Sequence, residues 1–285
     1  MNKRTYDVDL NKLVDKTFKF LRNNDVPRHW SKTNNEKYDV HLMLVLYALF
    51  CLADKSYRRF RRLIESCPPT NLKLKQVPSI STMNRAWRRI PPRYFRLLVQ
   101  LSGKGGRDRC VALDPTHFQI TSPSLAYLKR AKRNPFREPN RKVTIATGTR
   151  SLRIINAVIY KYAKRSGLDD LRKILGSWVN GRTIVADTEF DAEDRFHQEI
   201  IALGGKGVAP LRHKNIPIRR THGSRRKELR RKWPGRSYHR RPLTETANSM
   251  LKKGLGDILR GNTVWQQSRH FYMKCFTHNM CLRCC

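Results

Sequence analysis

Tyr238, Arg241, Glu245 and Lys252 fall in the spacing Y-x2-R-x3-E-x6-K near the C-terminus. Two aspartates lie upstream. Asp114 follows the apolar run Val111-Ala112-Leu113, and Asp187 follows Thr183-Ile184-Val185-Ala186. A carboxylate at the end of such a run is expected at the C-terminal tip of a buried strand. Cleavage of a phosphodiester benefits from two divalent ions about 4 Å apart, one activating the nucleophile and one stabilising the leaving oxygen. Hard cations such as Mg2+ take carboxylate oxygens and keep waters that can exchange with substrate. Asp114, Asp187 and Glu245 supply that ligand type in a chain of net charge +38. The chemistry these residues point to is metal-dependent attack on a phosphodiester.

Either aspartate taken alone reads better as a strand-end cap or a surface charge. The two together, with a glutamate on a following helix, favour a metal site. Other acids compete for the role. Glu189 stands close enough to Asp187 to be a further ligand. Asp191 suits the cap of a helix beginning at Ala192, with Asp194 three residues on in a loose capping box. Asp108, before the first strand, reads as solvated.

The helix that must present Glu245 is expected to start at Pro242 and run to about Lys253, since proline fits the first helical turn. Glu245 then lies in that turn. Lys252 follows seven residues later, almost two turns, and shares its face. Arg241 sits one turn before Glu245 on the same side.

Composition narrows the partner. The chain has 285 residues, with 60 Lys and Arg against 22 Asp and Glu. Self-repulsion of that size weakens a compact state unless a polyanion offsets it, and nucleic acid is the leading polyanion. An anionic membrane surface is the weaker reading. The longest apolar run, Leu42 to Ala53, is too short to span a bilayer. Met1-Asn2-Lys3-Arg4 leads into polar sequence rather than a signal-peptide core. The expectation is a cytoplasmic, nucleoid-associated protein with no membrane partner. Seven cysteines, an odd count, argue against a disulfide framework. Cys281, Cys284 and Cys285 have half the spacing of a zinc site, for which Cys275, His270 or His278 would complete the set; reduced thiols at a helix end are the simpler reading.

Residues 1–102 read as helical. Leu10, Leu13, Val14, Phe18 and Leu21 share one side of a first helix, and Leu42–Ala53 is apolar nearly all round. Ser56 is positioned to cap a basic helix over Tyr57–Glu65. Ser79 or Ser81 is positioned to cap another through Ile90, which carries Asn84, Arg85, Arg88 and Arg89. This order is compatible with a helix-turn-helix in which Arg85 and Arg88 contact DNA; a basic bundle that only packs is the alternative. Gly103 to Gly106 marks a boundary.

Beyond it the pattern predicts strands over Val111–Leu113, Val143–Thr147, Leu152–Tyr160, Thr183–Ala186 and Val208–Leu211, with helices over Leu168–Leu175 and Ala192–Leu203. That order is α/β with a mixed sheet. Residues 212–241 are dense in Lys and Arg and hold one acid, Glu228. Such a run is commonly a solvated segment, but its place between two candidate catalytic residues favours a grip on phosphates. Trp233 within it is either a local anchor or a platform for a displaced base. Val264–Leu282 closes the chain as a helix, with Trp265, Phe271, Tyr272, Phe276 and Met280 inward.

These motifs resemble the DDE transposases of bacterial and archaeal insertion sequences. The spacing of Tyr238, Arg241, Glu245 and Lys252 matches the Y-R-E-K signature of one large subgroup without a gap. Leu113-Asp114-Pro115-Thr116 and Ala186-Asp187-Thr188 look like the family's first and second aspartate motifs, and Asn248 and Lys252-Lys253 like the residues after its glutamate. The resemblance covers about residues 107–282.

It implies an RNase H-like catalytic domain over 107–285, a mixed sheet flanked by helices, preceded by a small all-α DNA-binding domain over 1–102. It implies Asp114, Asp187 and Glu245 as catalytic metal ligands for Mg2+ or Mn2+, two ions in all. Tyr238, Arg241 and Lys252 would grip phosphates near the element's end. It also implies cleavage at the ends, joining to target double-stranded DNA, and a homodimer assembled on that DNA. The stretch from Asp187 to Glu245 is too short for the large all-β insertion that bigger relatives use to form hairpins. A catalytically silent DNA-binding derivative and an RNase H-like nuclease without strand transfer remain as alternatives.

Overall fold

A computed structural model describes residues 6–29, 38–120, 140–160, 167–212 and 215–284. Among these the chain forms two compact units. One holds the residues up to Ser102 together with those from Met250 onward; the other holds Gly103–Gln119 and residues 140–249.

The first unit is helical: α1 (Leu10–Asn23), α2 (Val40–Ala53), α3 (Tyr57–Ser66), α4 (Ile80–Arg89) and α5 (Pro92–Gly103), with a last helix from Val264 to Cys284. The expected caps form. Ser56 accepts from the Arg59 amide and Ser79 from the Thr82 amide. In α1 the buried stripe is Leu13, Val14, Thr17, Phe20 and Leu21, so Phe20 rather than Phe18 is the inward aromatic and Leu10 stays 40% exposed. α2 is buried on nearly every side, as a helix without a polar face must be.

The unit does not close on the first 102 residues alone. The C-terminal helix is buried over almost its whole length, including Lys274, Thr277, His278 and Asn279. Each of these polar groups is satisfied, as burial requires. Lys274 donates to the carbonyls of Leu255 and Gly256, Thr277 to Met273, and Asn279 to Ser102 Oγ at 3.0 Å, while His278 Nδ1 meets the Tyr6 hydroxyl at 2.5 Å. The expected 1–102 segment therefore has its centre filled by the far end of the chain. Trp265 is an exception to the predicted packing and is 67% exposed. The two basic helices α3 and α4 are not joined by a tight turn. Cys67 to Ser79 separate α3 from α4, well beyond the 3–4 residues, roughly, of a helix-turn-helix turn.

Cys275, Cys281 and Cys284 are free and buried, and Cys285 lies outside the described residues. His270 Nδ1 accepts the Arg260 amide, His278 Nδ1 meets the Tyr6 hydroxyl, and no group of three or more His, Cys, Asp or Glu is placed to hold a metal among the described residues. No single described helix is long and apolar enough to cross a membrane.

The second unit is built on a mixed sheet whose five strands follow the order β3-β2-β1-β4-β5. The strands are β1 (Cys110–Ile120), β2 (Asn140–Gly148), β3 (Ile154–Ile159), β4 (Thr183–Val185) and β5 (Lys206–Val208). β1 pairs antiparallel with β2 and parallel with β4, and β4 pairs parallel with β5. The last strand is thus Lys206–Val208 rather than Val208–Leu211.

The β1–β4 region is buried on both faces, so its residues read as continuous apolar runs. Val111, Leu113, Ile184 and Ala186 pack on one face with Ile174, Phe190, Phe196 and Ile200. Cys110, Ala112, Val185 and Val208 pack on the other with Leu229 and Tyr238. The helical prediction over Ala192–Leu203 is realised as a π turn at Glu193–Gln198 leading into a short helix, Glu199–Ala202.

Three acids take structural work. Asp108 is buried, not solvated. Its Oδ1 accepts the amides of Arg150 and Ser151 at 2.7 and 2.9 Å, and its Oδ2 accepts the Ser151 hydroxyl at 2.6 Å, which fixes the β2–β3 turn. Gly148 lies so close that an added Cβ would stand 2.3 Å from Asp108.

Asp191 does not cap the segment after it. Its oxygens accept the Arg212 amide and both Nε and Nη2 of Arg226, the last two at 2.8 Å. Glu193 accepts the Arg225 and Arg226 amides at 3.1 Å, at the first turn of the helix Ser224–Arg231. Free amides and the dipole make that turn a good place for a carboxylate. The basic stretch is therefore folded where it is described: two buried acids pin it, and Leu229 tucks under it. Arg219, Arg220, Arg231, Lys232, Arg236 and Arg240 remain exposed.

Asp108→Ala leaves two amides at a buried turn without acceptors and is expected to destabilise the protein by roughly 2–4 kcal/mol in urea denaturation. Asp108→Asn, which keeps one acceptor oxygen, should recover part of the loss. Equal stability of the wild type and the alanine variant would refute the anchoring role.

Candidate active site

The β1–β4 register decides where the two aspartates stand. Cys110, Val111 and Ala112 pair with Thr183, Ile184 and Val185. Asp114 and Asp187 each come two residues after the last of these pairs. Side chains alternate along extended chain, so both carboxylates leave on the face that holds Ala112 and Val185. β1 does not end at Asp114. It continues to Ile120 against β2, with Asp114 opposite Ile145. What ends at this point is the parallel pairing with β4, and the opening it leaves gives the carboxylates room.

The same face is covered by Leu229 and Tyr238. Tyr238 closes a short helix, Gly235–Tyr238, and the chain turns at once into the long helix Pro242–Leu255. That turn delivers Arg241, Glu245 and Asn248 to the aspartates. Arg241 Nη2 donates to Glu245 Oε1 at 2.9 Å, and Nη1 stands 3.7 Å from Asp114 Oδ1. Asn248 Nδ2 donates to Asp114 Oδ2 at 2.8 Å. Asp187 Oδ1 accepts the Glu189 amide at 2.9 Å. Glu189 itself is committed: its Oε1 accepts Lys142 Nζ at 3.1 Å and the Gly167 amide at 2.8 Å.

The electrostatics follow. Burial pushes the Asp114 carboxyl up to about 6; Arg241 and the Asn248 hydrogen bond pull against that, while Asp187 and Glu245 push with it. Burial also raises Asp187, assisted by the Glu189 charge and opposed by the Glu189 amide, Arg241 and Lys142. Asp114 therefore feels the charges of both Asp187 and Glu245. Arg241 is the counter-charge that makes the cluster tolerable.

The donor set suits a hard divalent cation in kind, because it is all carboxylate oxygen and short of positive charge. It is not gathered around one point. No group of three or more His, Cys, Asp or Glu side chains is positioned to hold a metal among the described residues. Glu245 is 58% exposed and turned to Arg241.

The remaining predicted residues are placed less closely. Trp233 is 40% exposed, with its ring 5.1 Å from that of Tyr238. Lys252 lies further along the Glu245 helix and is half-buried. Arg85 and Arg88 are exposed on α4, away from its buried Met83 and Trp87. Lys142 was missed by sequence reasoning; it lies near the start of β2, with no spacing to Asp187 or Glu189 that marks it.

With this geometry in place, comparison with known proteins is informative. The family model described as the transposase DDE domain matches residues 105–280. The chain belongs to the DDE transposase family. Transposases of this family in general use divalent metal ions. No curated protein matches the chain. Among solved structures, the cryo-EM structure of the piggyBac transposase synaptic complex with hairpin DNA is similar over 97% of this chain and 72% of that one, at 11% identity and a TM-score of 0.46.

The raised Asp114 carboxyl has a measurable consequence. The folded protein holds this proton more tightly than the unfolded chain, so stability falls as pH rises from near 4 to about 6. In the presence of chelator, Asp114→Asn should flatten part of that fall and be more stable than wild type near pH 7 by about 1–2 kcal/mol. A variant less stable than wild type at neutral pH would show that Asp114 is not electrostatically strained.

Proposed function

We propose that this protein is an insertion-sequence transposase of the Y-R-E-K type, which binds the ends of its element, cleaves there, and joins the ends to target DNA by phosphoryl transfer. The observation that supports this most is the placement of Asp114 and Asp187 at matched positions on one sheet face, with Glu245 and Arg241 brought over them by a single turn. Asp114, Asp187 and Glu245 would hold Mg2+ or Mn2+, two ions in all, which would supply charge stabilisation for phosphoryl transfer.

Arg241 has two roles in sequence. Without DNA it neutralises Asp114 and ties up Glu245. A phosphate offers its guanidinium a bidentate partner at least as good as the carboxylate, so arrival of DNA releases Glu245 toward the aspartates. Asn248 keeps Asp114 in one orientation throughout. Tyr238 and Lys252 hold neighbouring phosphates, and the exposed cations from Arg219 to Arg240 track the backbone.

On the helical unit, Arg85 and Arg88 contact duplex DNA from α4. Trp233 serves as a platform for a base displaced at the cleavage point. Strand transfer needs two ends held together, which a homodimer assembled on DNA provides. A nucleoid-associated, cytoplasmic location follows from that partner.

Replacing Asp114, Asp187 or Glu245 by Ala should abolish cleavage of the element's own ends in Mg2+ while end binding survives, and combining the substitutions should cost no more than one alone. Substantial cleavage by Glu245→Ala would overturn the assignment, and normal binding with no cleavage by wild type would favour the catalytically silent reading.

DNA contacts make a separate prediction. Arg85→Ala with Arg88→Ala should weaken binding to the element's end by about 1–3 kcal/mol per base contact more than binding to random DNA. Equal losses would restrict both residues to phosphates. Trp233→Ala should slow cleavage of intact ends and spare ends already abasic beside the cut; equal slowing on both would leave Trp233 as a local anchor.

A further inference from the structure

The helical unit contains a pocket of about 270 Å³, of whose walls the reading above uses only Arg88. Its walls include Tyr57, Trp87, Asn84, Arg88, Arg260 and Arg269, and no Asp or Glu lines it. The size is close to the lower end of small-molecule sites, about 300 Å³.

One side is flat, aromatic and rigid. Trp87 stacks on Tyr47 with centroids 4.2 Å apart and 11° between planes, and its Nε1 is fixed by the Met43 carbonyl at 2.8 Å. Tyr57 stacks on Phe50 at 4.7 Å and 15°, and is only half-buried, so part of its ring is open to the pocket.

The other side is cationic. Arg260 is held by Asp54, whose carboxylate and carbonyl accept at 3.0 and 3.2 Å, yet its Nε is buried without a hydrogen-bond partner. Arg269 is tethered through Nε to the Ile90 carbonyl at 2.8 Å. Burial lowers its pKa, Tyr47 opposes that, and the Arg88 charge lowers it further. Arg88 makes no ion pair among the described residues. Adjacent guanidinium groups repel, and a phosphate relieves the repulsion with geometry that matches their planar forks. Asn84, also on the wall, offers an amide that both donates and accepts, as the edge of a base requires.

We infer that this pocket takes one unpaired nucleotide of DNA, its base against Tyr57 and Asn84 and its phosphate among Arg88, Arg260 and Arg269. The inference rests on the reading that DNA is the partner. It places a single-nucleotide site in the helical unit, separate from the carboxylates and from Trp233. The pocket selects for distorted or frayed DNA because a paired base remains in its stack.

Two duplexes of one arbitrary sequence test this, one fully paired and one carrying a single unpaired 2-aminopurine, titrated into the full-length protein in chelator. The free 2-aminopurine deoxynucleoside monophosphate is a third probe. Wild type should prefer the unpaired duplex by about tenfold, a value within the range for one stacked base, and should quench the probe's emission. Tyr57→Leu and Arg269→Gln, each checked by thermal melting, should bring that preference close to one.

Wild type that binds both duplexes equally overturns the pocket assignment and leaves DNA binding standing. Wild type that binds neither duplex overturns both. A preference that survives in both folded variants removes the nucleotide from this pocket. Quenching of the free monophosphate with no preference between duplexes assigns the pocket to a mononucleotide instead of DNA.

Discussion

Repulsion at Asp114, where Asp187 and Glu245 stand near it, is the constraint around which the second unit's candidate site is arranged. Asp114 and Asp187 stand at matched positions past the end of the β1–β4 pairing, and Glu245 is close enough to raise the proton affinity of Asp114. Two neighbouring acids on a largely buried surface cost stability unless positive charge is supplied. Arg241 and Lys142 supply it within the protein. Neither removes the effect of burial, which still holds both aspartates above the usual carboxylate range. Arg241 touches both Asp114 and Glu245, so whatever draws it away changes the site most.

The second unit's acids divide into two groups by what they face. Asp108, Asp191 and Glu193 are buried and bind amides or arginine, and each fixes a turn or a helix start. Their removal should damage folding. Asp114 and Asp187 hold fewer partners and are raised by their surroundings. The contrast is a physical basis for separating structural from candidate catalytic acids. It also explains how the described part of a segment as basic as 212–241 can fold: Asp191 and Glu193 bind its inner arginines and leave the outer ones exposed to solvent.

In the helical unit, the C-terminal helix runs through the middle with seven polar residues buried along it, from Gln267 to Asn279. Lys274 sits on the last carbonyls of the helix that carries Glu245. A lysine there satisfies exposed acceptors and opposes the negative end of the dipole. The end of the chain thus acts as a cap for the helix that bears the third carboxylate.

Local pattern was enough to define much of this protein. The caps Ser56 and Ser79, the apolar α2, the hairpin around Gly148 and the helix starting at Pro242 all rest on contacts within a few residues, so they were legible. The Asp and Glu motifs and their spacing pointed to the transposase family because residue types are set by chemistry. Long-range pairing was not legible. Nothing near Asp108 or Asp191 in the sequence says that Ser151 or Arg226 will come to it, and a solvated acid and a buried anchor look alike in one dimension. The extent of β1 beyond Asp114 depends on β2, which pairs with it from across a long connection. That the final helix fills the centre of the N-terminal helices was decided by where a nearly all-apolar α2 could find cover. Tertiary structure alone settled those points, because burial turns a charge from a cheap surface group into one that must have a partner, and the partner is chosen in three dimensions.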